Sequence, residues 1–123
     1  MAKHGDWYWH ELMTPEPSGA KAFYKAVLGW GEAPMQAMPD YTMMIQHEVP
    51  TAGVMAAQAG QPTAWLPYIA VRDIEVAKAG VEANKGKVWV GPQAMEGVGT
   101  WMVCSDPQGA AFALIQPAGG VEG

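Results

Sequence analysis

The chain has 123 residues, half of them hydrophobic and 15% charged, with a mean hydropathy of −0.04, the composition of an ordinary folded domain. Twelve acidic residues against seven Lys and Arg give a net charge of −5, which argues against a nucleic acid partner, because affinity for phosphate backbones comes from clustered cations. No apolar run approaches the ~20 residues of a spanning helix, and residues 1–10 lack the basic start and apolar stretch of a signal peptide, so the expected address is the cytoplasm with no membrane partner.

The first predicted element is a strand from Trp7 to Met13, aromatic and apolar with Glu11 as its only acid, ending at Thr14-Pro15-Glu16-Pro17. From Ser18 the residues Ala20, Phe23, Val27 and Leu28 recur at helical spacing, which predicts a helix with one buried stripe, Ser18 as its cap and Gly29 past its end. Three shorter strands follow, near residues 30–35, 41–47 and 51–58, separated by Pro39-Asp40 and Val49-Pro50. Gly60-Gln61-Pro62-Thr63 reads as a joint. Beyond it the same order returns: a strand from Trp65 to Val71, a helix from about Ile74 to Asn84 capped by Asp73 and followed by Gly86, and strands near residues 87–90, 100–104 and 110–116. Asp106-Pro107-Gln108-Gly109 is a turn sequence, and residues 118–123 are rich in Gly.

The two halves align without gaps at one offset. Ala20-Lys21-Ala22 falls on Ala77-Lys78-Ala79, Gly29 on Gly86, Pro50 on Pro107 and Ala56 on Ala113. The chain therefore reads as a single domain over residues 1–123, built of two tandem βαβββ modules at about 5–60 and 61–118.

This order, together with Ala22-Phe23-Tyr24 and Leu28-Gly29-Trp30 on the first helix and Asp106-Pro107-Gln108-Gly109 before the last strand, resembles the vicinal oxygen chelate superfamily. That group includes glyoxalase I, extradiol dioxygenases, and the bleomycin and fosfomycin resistance proteins. Trp9-His10-Glu11-Leu12-Met13-Thr14-Pro15 is similar to the Trp-x-Glu-Leu-x-Thr-Pro opening of its glyoxalase-like branch. The resemblance implies an α+β fold in which the curved sheets of two modules surround a central cup, with helices on the outer faces, and it implies a homodimer.

The resemblance also implies metal ligands on the first and last strands of each module. Mapped onto this sequence, those positions are Trp9, Leu66, Ala56 and Ala113, and none carries a metal-binding side chain. No cofactor and no metal is therefore expected. A strand register wrong by one residue would instead bring in His10 and Glu11 as ligands, although adjacent strand residues point to opposite faces.

With Leu12 and Thr14 turned to the helix, alternation places Trp7, Trp9, Glu11 and Met13 on the inner face of the first strand. Leu66, Tyr68 and Ala70 follow on the second module's first strand, and Ala111, Ala113 and Ile115 on its last; the register of Trp101 stays open. The expected ligand site comprises Trp7, Trp9, Glu11, Met13, Tyr68, Trp101 and Ala113, an aromatic-lined cup for a small apolar or planar molecule. A filled core of the same residues is the bland alternative. Glu11 is the candidate general base or ligand anchor, its pKa expected to rise on burial, with Tyr68 preferred among His10, His47, Tyr8, Tyr41 and Tyr68 as its catalytic partner. Capture of a ligand without chemistry is the first reading. The alternatives are a metal-dependent lyase or dioxygenase, or a metal-free isomerase or hydrolase using Glu11. Enzyme status stays open at this level. Cys104, the only cysteine, has no neighbouring cation in sequence and reads as buried and inert.

Overall fold

Prolines and glycines divide the chain into elements whose order repeats. The computed structural model describes residues 1–36 and 38–122, with β1 (Trp7–Thr14), α1 (Pro17–Leu28), β2 (Gly31–Met35), β3 (Met38–Gln46) and β4 (Val49–Ala56), then β5 (Ala64–Ala70), α2 (Ile74–Ala83), β6 (Lys87–Met95), β7 (Gly99–Ser105) and β8 (Ala111–Pro117). The order is βαβββ twice, as the repeat predicts. Contacts group the chain into two units, Trp9–Leu66 and Met1–Tyr8 with the chain from Pro67 onward. The segment leading into β1 belongs to the second unit because Gly5 N–H donates to Ala70 O at 2.7 Å and Ala70 N–H to Asp6 O at 2.9 Å.

In the first unit the strands run β2-β3-β4-β1, with β1 and β4 parallel and the other pairs antiparallel. Leu12, Met44, Ala52 and Val54 form a buried layer on one face, against which Ala20, Tyr24 and Trp30 pack. Glu11 pairs with Gly53 and Met13 with Met55, so these four share the opposite face. The strand register read from alternation is thus the observed one.

Helix α1 departs from expectation at two points. Pro17 takes its first turn, where a missing N–H costs nothing, so Glu16 and not Ser18 is the N-cap, and Glu16 N–H donates instead to Thr14 Oγ1 at 3.2 Å. Gly29 ends the helix with φ 72°, as predicted. The expected stripe is rotated: Phe23, Val27 and Leu28 are 58%, 61% and 52% exposed, and Tyr24 points inward with Ala20. Tyr24 stacks on Trp30 at 5.5 Å, meets Trp65 edge-on at 5.4 Å and accepts a hydrogen bond from Trp65 Nε1 at 3.1 Å, and this aromatic contact sets the helix rotation. Lys25 and Lys21 hold Glu32 at 2.9 and 3.6 Å, and the Lys25 hydrogen bond leads the forces keeping its carboxyl below the usual range.

In the second unit the order is β5-β8-β7-β6, with β5 and β8 parallel. Asp73 caps α2 as expected, its Oδ1 accepting from Glu75 N–H at 2.9 Å and Val76 N–H at 3.1 Å. Val71, Ile74, Met102, Cys104 and Leu114 form the core, with Ala77 and Val81 of the helix against it. Asp106 closes the predicted turn, accepting from Gly109 N–H at 2.9 Å through its carbonyl and from Gln108 N–H at 2.9 Å through its carboxylate.

Two further expectations are corrected. Pro39-Asp40 and Val49-Pro50 do not separate strands but lie inside β3 and β4, where Pro50 sits opposite Ile45 at a register shift that relieves the missing N–H. The ungapped repeat also fails beyond the helices. Glu11 pairs with Gly53 while Tyr68 pairs with Ala113, so the counterpart of Ala113 is Gly53 and not Ala56. The three added residues enter across β6 and its hairpin with β7, where β6 has 9 residues against 5 in β2 and carries two register shifts and a cis Gly91–Pro92 bond.

Met44 is fully buried whereas Val27 is exposed, so Met44→Ala is expected to cost about 2–5 kcal/mol in urea denaturation. Val27→Ala should stay within about 0.5 kcal/mol.

Candidate functional site

Gly53 is the residue around which the open face of the first unit is arranged. It lies in β4 between Glu11 of β1 and Met43 of β3, and a Cβ at this position would overlap the Tyr41 ring and hydroxyl. The Tyr41 ring therefore lies across the β4 backbone, 5% exposed, and its hydroxyl reaches β1. There Trp9 Nε1–H donates to Tyr41 Oη at 2.7 Å, and the Glu11 carboxylate stands close enough for its charge to act on the phenol. The result is a phenol held by an indole hydrogen bond beside a carboxylate. Burial first, and the Glu11 charge second, push the Tyr41 pKa well above its ordinary value, outweighing the Trp9 bond that lowers it. Tyr41 is thus held protonated and remains a donor.

Met13 and Met55, paired across β1 and β4, continue this face. Beside Tyr41 it opens into a cleft of about 330 Å³ lined by Met38, Asp40, Tyr41, Met55 and Gln58. Thr51, two residues before Gly53 on β4, has a buried hydroxyl with no hydrogen-bond partner among the described residues.

The second unit holds Tyr68, Trp101 and Ala113 on one face. Tyr68 pairs with Ala113, Ala113 with Val103 and Ile115 with Trp101, so the open register of Trp101 resolves away from the helix core and onto the Ala113 face. By the corrected repeat, Glu11, Tyr41 and Gly53 correspond to Tyr68, Trp101 and Ala113. Tyr68 and Ala113 are 8% and 0% exposed. Nearby, Trp89 Nε1 donates to Ser105 Oγ at 2.9 Å, and Lys87 Nζ lies 3.7 Å above the Trp89 ring.

Of the residues expected from sequence, the first unit brings Trp9, Glu11 and Met13 onto one face, and the second brings together Tyr68, Trp101 and Ala113. Trp7 is 68% exposed and belongs to the second unit. Of the five candidate partners, Tyr41 stands close enough to Glu11 for that charge to raise the phenol's pKa. Sequence reasoning missed Gly53, Asp40 and Trp89. A glycine interrupting the apolar alternation of β4 opposite an acid was the available signal for Gly53; Lys87-x-Trp89 at strand spacing was that for Trp89.

The fold family implies a chelated metal, and the donor set does not fit one. The mapped positions hold Trp9, Leu66 and Ala113, and replacing Ala56 by its corrected counterpart Gly53 exchanges one residue without a donor for another. Trp9 Nε1 is itself committed to Tyr41. His10 is exposed and alternates away from Glu11, and among the described residues no three His, Cys, Asp or Glu cluster for a metal.

No family model matches the chain. A Mycobacterium tuberculosis protein, CFP32, provisionally named a glyoxylase, is 36% identical over 117 residues, which cover 93% of this chain and 45% of the relative. The anthracycline biosynthesis protein DauV of Streptomyces sp. strain C5 is 29% identical, over 86% of this chain and 45% of that protein. The chain thus spans about half the length of the curated relatives it matches. Among solved structures, the Mn(II)-bound glyoxalase of Novosphingobium aromaticivorans matches 94% of this chain and 40% of that one with a TM-score of 0.65 at 19% identity. The chain belongs to the vicinal oxygen chelate superfamily. It is a glyoxalase-like protein of the α+β, tandem βαβββ fold. Among the described residues no helix is long and apolar enough to cross a membrane.

Tyr41→Phe removes the hydroxyl that accepts from Trp9 and is expected to cost about 1–3 kcal/mol in urea denaturation, because the indole N–H loses its partner in a part-buried setting. Cys104 is fully buried, and burial pushes its thiol up to about 11. At pH 8 only about a thousandth is thiolate, so native protein should resist iodoacetamide while urea-unfolded protein labels at one site, as read by intact mass.

Proposed function

We propose that this glyoxalase-like chain binds a small planar or apolar molecule on the aromatic and methionine-lined face of its first unit, with Glu11 as polar anchor and without the family's metal. The observation that carries the reading is the arrangement of Tyr41, held by Trp9 and facing the Glu11 charge, beside the open cleft. It fixes a carboxylate among apolar groups, which is the usual composition of a ligand pocket: an apolar wall with few oriented polar groups. A volume of about 330 Å³ lies within the range of small-molecule sites. The thioethers of Met13, Met38 and Met55 add a polarizable surface that conforms to flat ligands. The name of the Streptomyces relative supports a planar ligand, since anthracyclines are fused aromatic systems.

Binding of this kind requires shape and stacking surface and no bond-making step. The Tyr41 hydroxyl, held by Trp9 and kept protonated beside the Glu11 charge, is the donor of this face. The test is quenching of tryptophan fluorescence by acridone, a neutral planar tricycle, with calorimetry as a second readout. Saturable binding at micromolar concentration is expected, and the absence of both quenching and heat up to about 100 μM would overturn the reading. Elemental analysis of tag-free protein prepared without chelator should find no stoichiometric divalent ion; one ion per chain would overturn the metal-free part.

A further inference from the structure

Helix α1 turns its charged groups toward the sheet and its apolar groups toward water. Ala20 and Tyr24 pack on the sheet layer, Lys21 and Lys25 reach Glu32 of β2, and Lys21 also donates to Thr42 Oγ1 of β3 at 3.2 Å. The side away from the sheet is formed by Gly19, Ala22, Phe23, Ala26 and Val27, which follow the spacing of one apolar helical stripe, and all five are exposed. No residue of the helix is buried. Phe23 meets the Tyr24 ring edge-on at 5.1 Å, and Tyr24 meets Trp65, itself 36% exposed, so the apolar surface continues past the helix. A surface helix ordinarily shows the reverse, with its apolar stripe inward and its charges in water.

The second module shows that the fold does not require this pattern. At the offset that aligns the helices, Phe23 and Val27 correspond to Gly80 and Asn84, and α2 has Glu75 and Glu82 at exposed positions. Two properties of the α1 stripe fit it to a copy of itself. It is neutral: α1 contains no Asp or Glu and both its lysines are committed to Glu32, so two chains of net charge −5 can meet here without burying or opposing charge. It also mixes small and large residues. A Cβ built on Gly19 would meet only the Glu16 side chain, at 3.9 Å, and Ala22 and Ala26 project no more than a methyl, so a second helix can come close while Phe23 fills the space between. Glu16 stands at the N-terminal end of the stripe and Lys25 near its C-terminal end. An antiparallel crossing brings each toward the opposite charge of the other copy and opposes the two helix dipoles.

We propose that the outer face of α1 is a docking surface for a second copy of this chain, the two α1 helices packing antiparallel about a twofold axis between Ala22 and Phe23. Phe23 of each copy then lies against Ala22 of the other, and Gly19 against Ala26, so that the small pair lets the backbones approach and the aromatic ring fills the contact. Val27 and Trp65 extend the apolar contact at its margin. One helix pair is at the small end of specific interfaces, and the association is accordingly reversible and micromolar. The contact uses neither the cleft beside Tyr41 nor Glu11, and it stands independently of the ligand reading.

Sedimentation velocity across about 1 to 200 μM protein reads the association, and the mass is expected to rise with concentration from 13.1 kDa toward twice that value. Phe23→Glu and Val27→Glu, at exposed positions that leave the core untouched, should each weaken pairing about tenfold or more while the urea midpoint of the dilute protein stays unchanged. Cross-linking identifies the face. Ala22→Cys, close to the axis, should join two chains through a short bismaleimide, whereas Val76→Cys, exposed on α2, should not, and the buried Cys104 supplies no background. A monomer throughout the concentration range would overturn the proposal. A dimer that both Glu variants leave intact, or that cross-links as readily through Val76→Cys as through Ala22→Cys, would also overturn it, since pairing would then run through another face.

Discussion

The open face of the first unit depends on one absent methyl group. Because Gly53 carries no side chain, the Tyr41 ring crosses β4 at a distance that any Cβ would forbid, and only from there does its hydroxyl stand between Trp9 and Glu11. The same contact buries Tyr41, desolvates the phenol and fixes the position of the nearby charge. Every feature assigned to the site, from the apolar wall to the anchored carboxylate, follows from this close approach of ring and backbone.

The sheet then separates two chemistries. On the helix side, Lys21 and Lys25 are both paired with Glu32, beside a layer of Leu12, Met44, Ala52 and Val54. On the other side the polar groups are the Glu11 carboxylate and the Tyr41 phenol among thioethers. This division is enforced by strand alternation, since a residue's parity fixes its face. The second unit carries the same frame with different chemistry: Tyr68, Trp101 and Ala113 stand where Glu11, Tyr41 and Gly53 stand in the first. The repeat has kept the places and changed the groups, so the carboxylate is a property of the first unit alone.

Much of the fold was legible because its signals are local. Alternation in β1, the Asp73 cap, Gly29 after α1 and the Asp106-Pro107-Gln108-Gly109 turn each act within a few residues of chain. The rotation of α1 was legible only in part, because Phe23 and Tyr24 are adjacent and similarly apolar and helical spacing admits both. What selects Tyr24 is Trp65, forty-one residues away, offering an indole N–H and an edge to its ring. The register of β4 was misjudged for a related reason: an insertion across β6 leaves no mark in a comparison of helices, and hydrogen bonding to the parallel first strand decides which residue faces which.

The sequence by itself determined the tandem βαβββ order, the face of β1 that carries Trp9, Glu11 and Met13, and the lack of donor side chains at the family's metal positions. Each follows from residue type and short-range period, which are written along the chain. Only the tertiary structure decided that Glu11 meets Tyr41, that Gly53 makes the meeting possible, that Trp101 shares the face of Ala113, and that Asp40 lines a cleft in place of a turn. These depend on strand register and ring orientation, which are set by hydrogen bonds and close packing between segments remote in sequence. A one-residue change in either would leave the local pattern intact and move every one of these contacts.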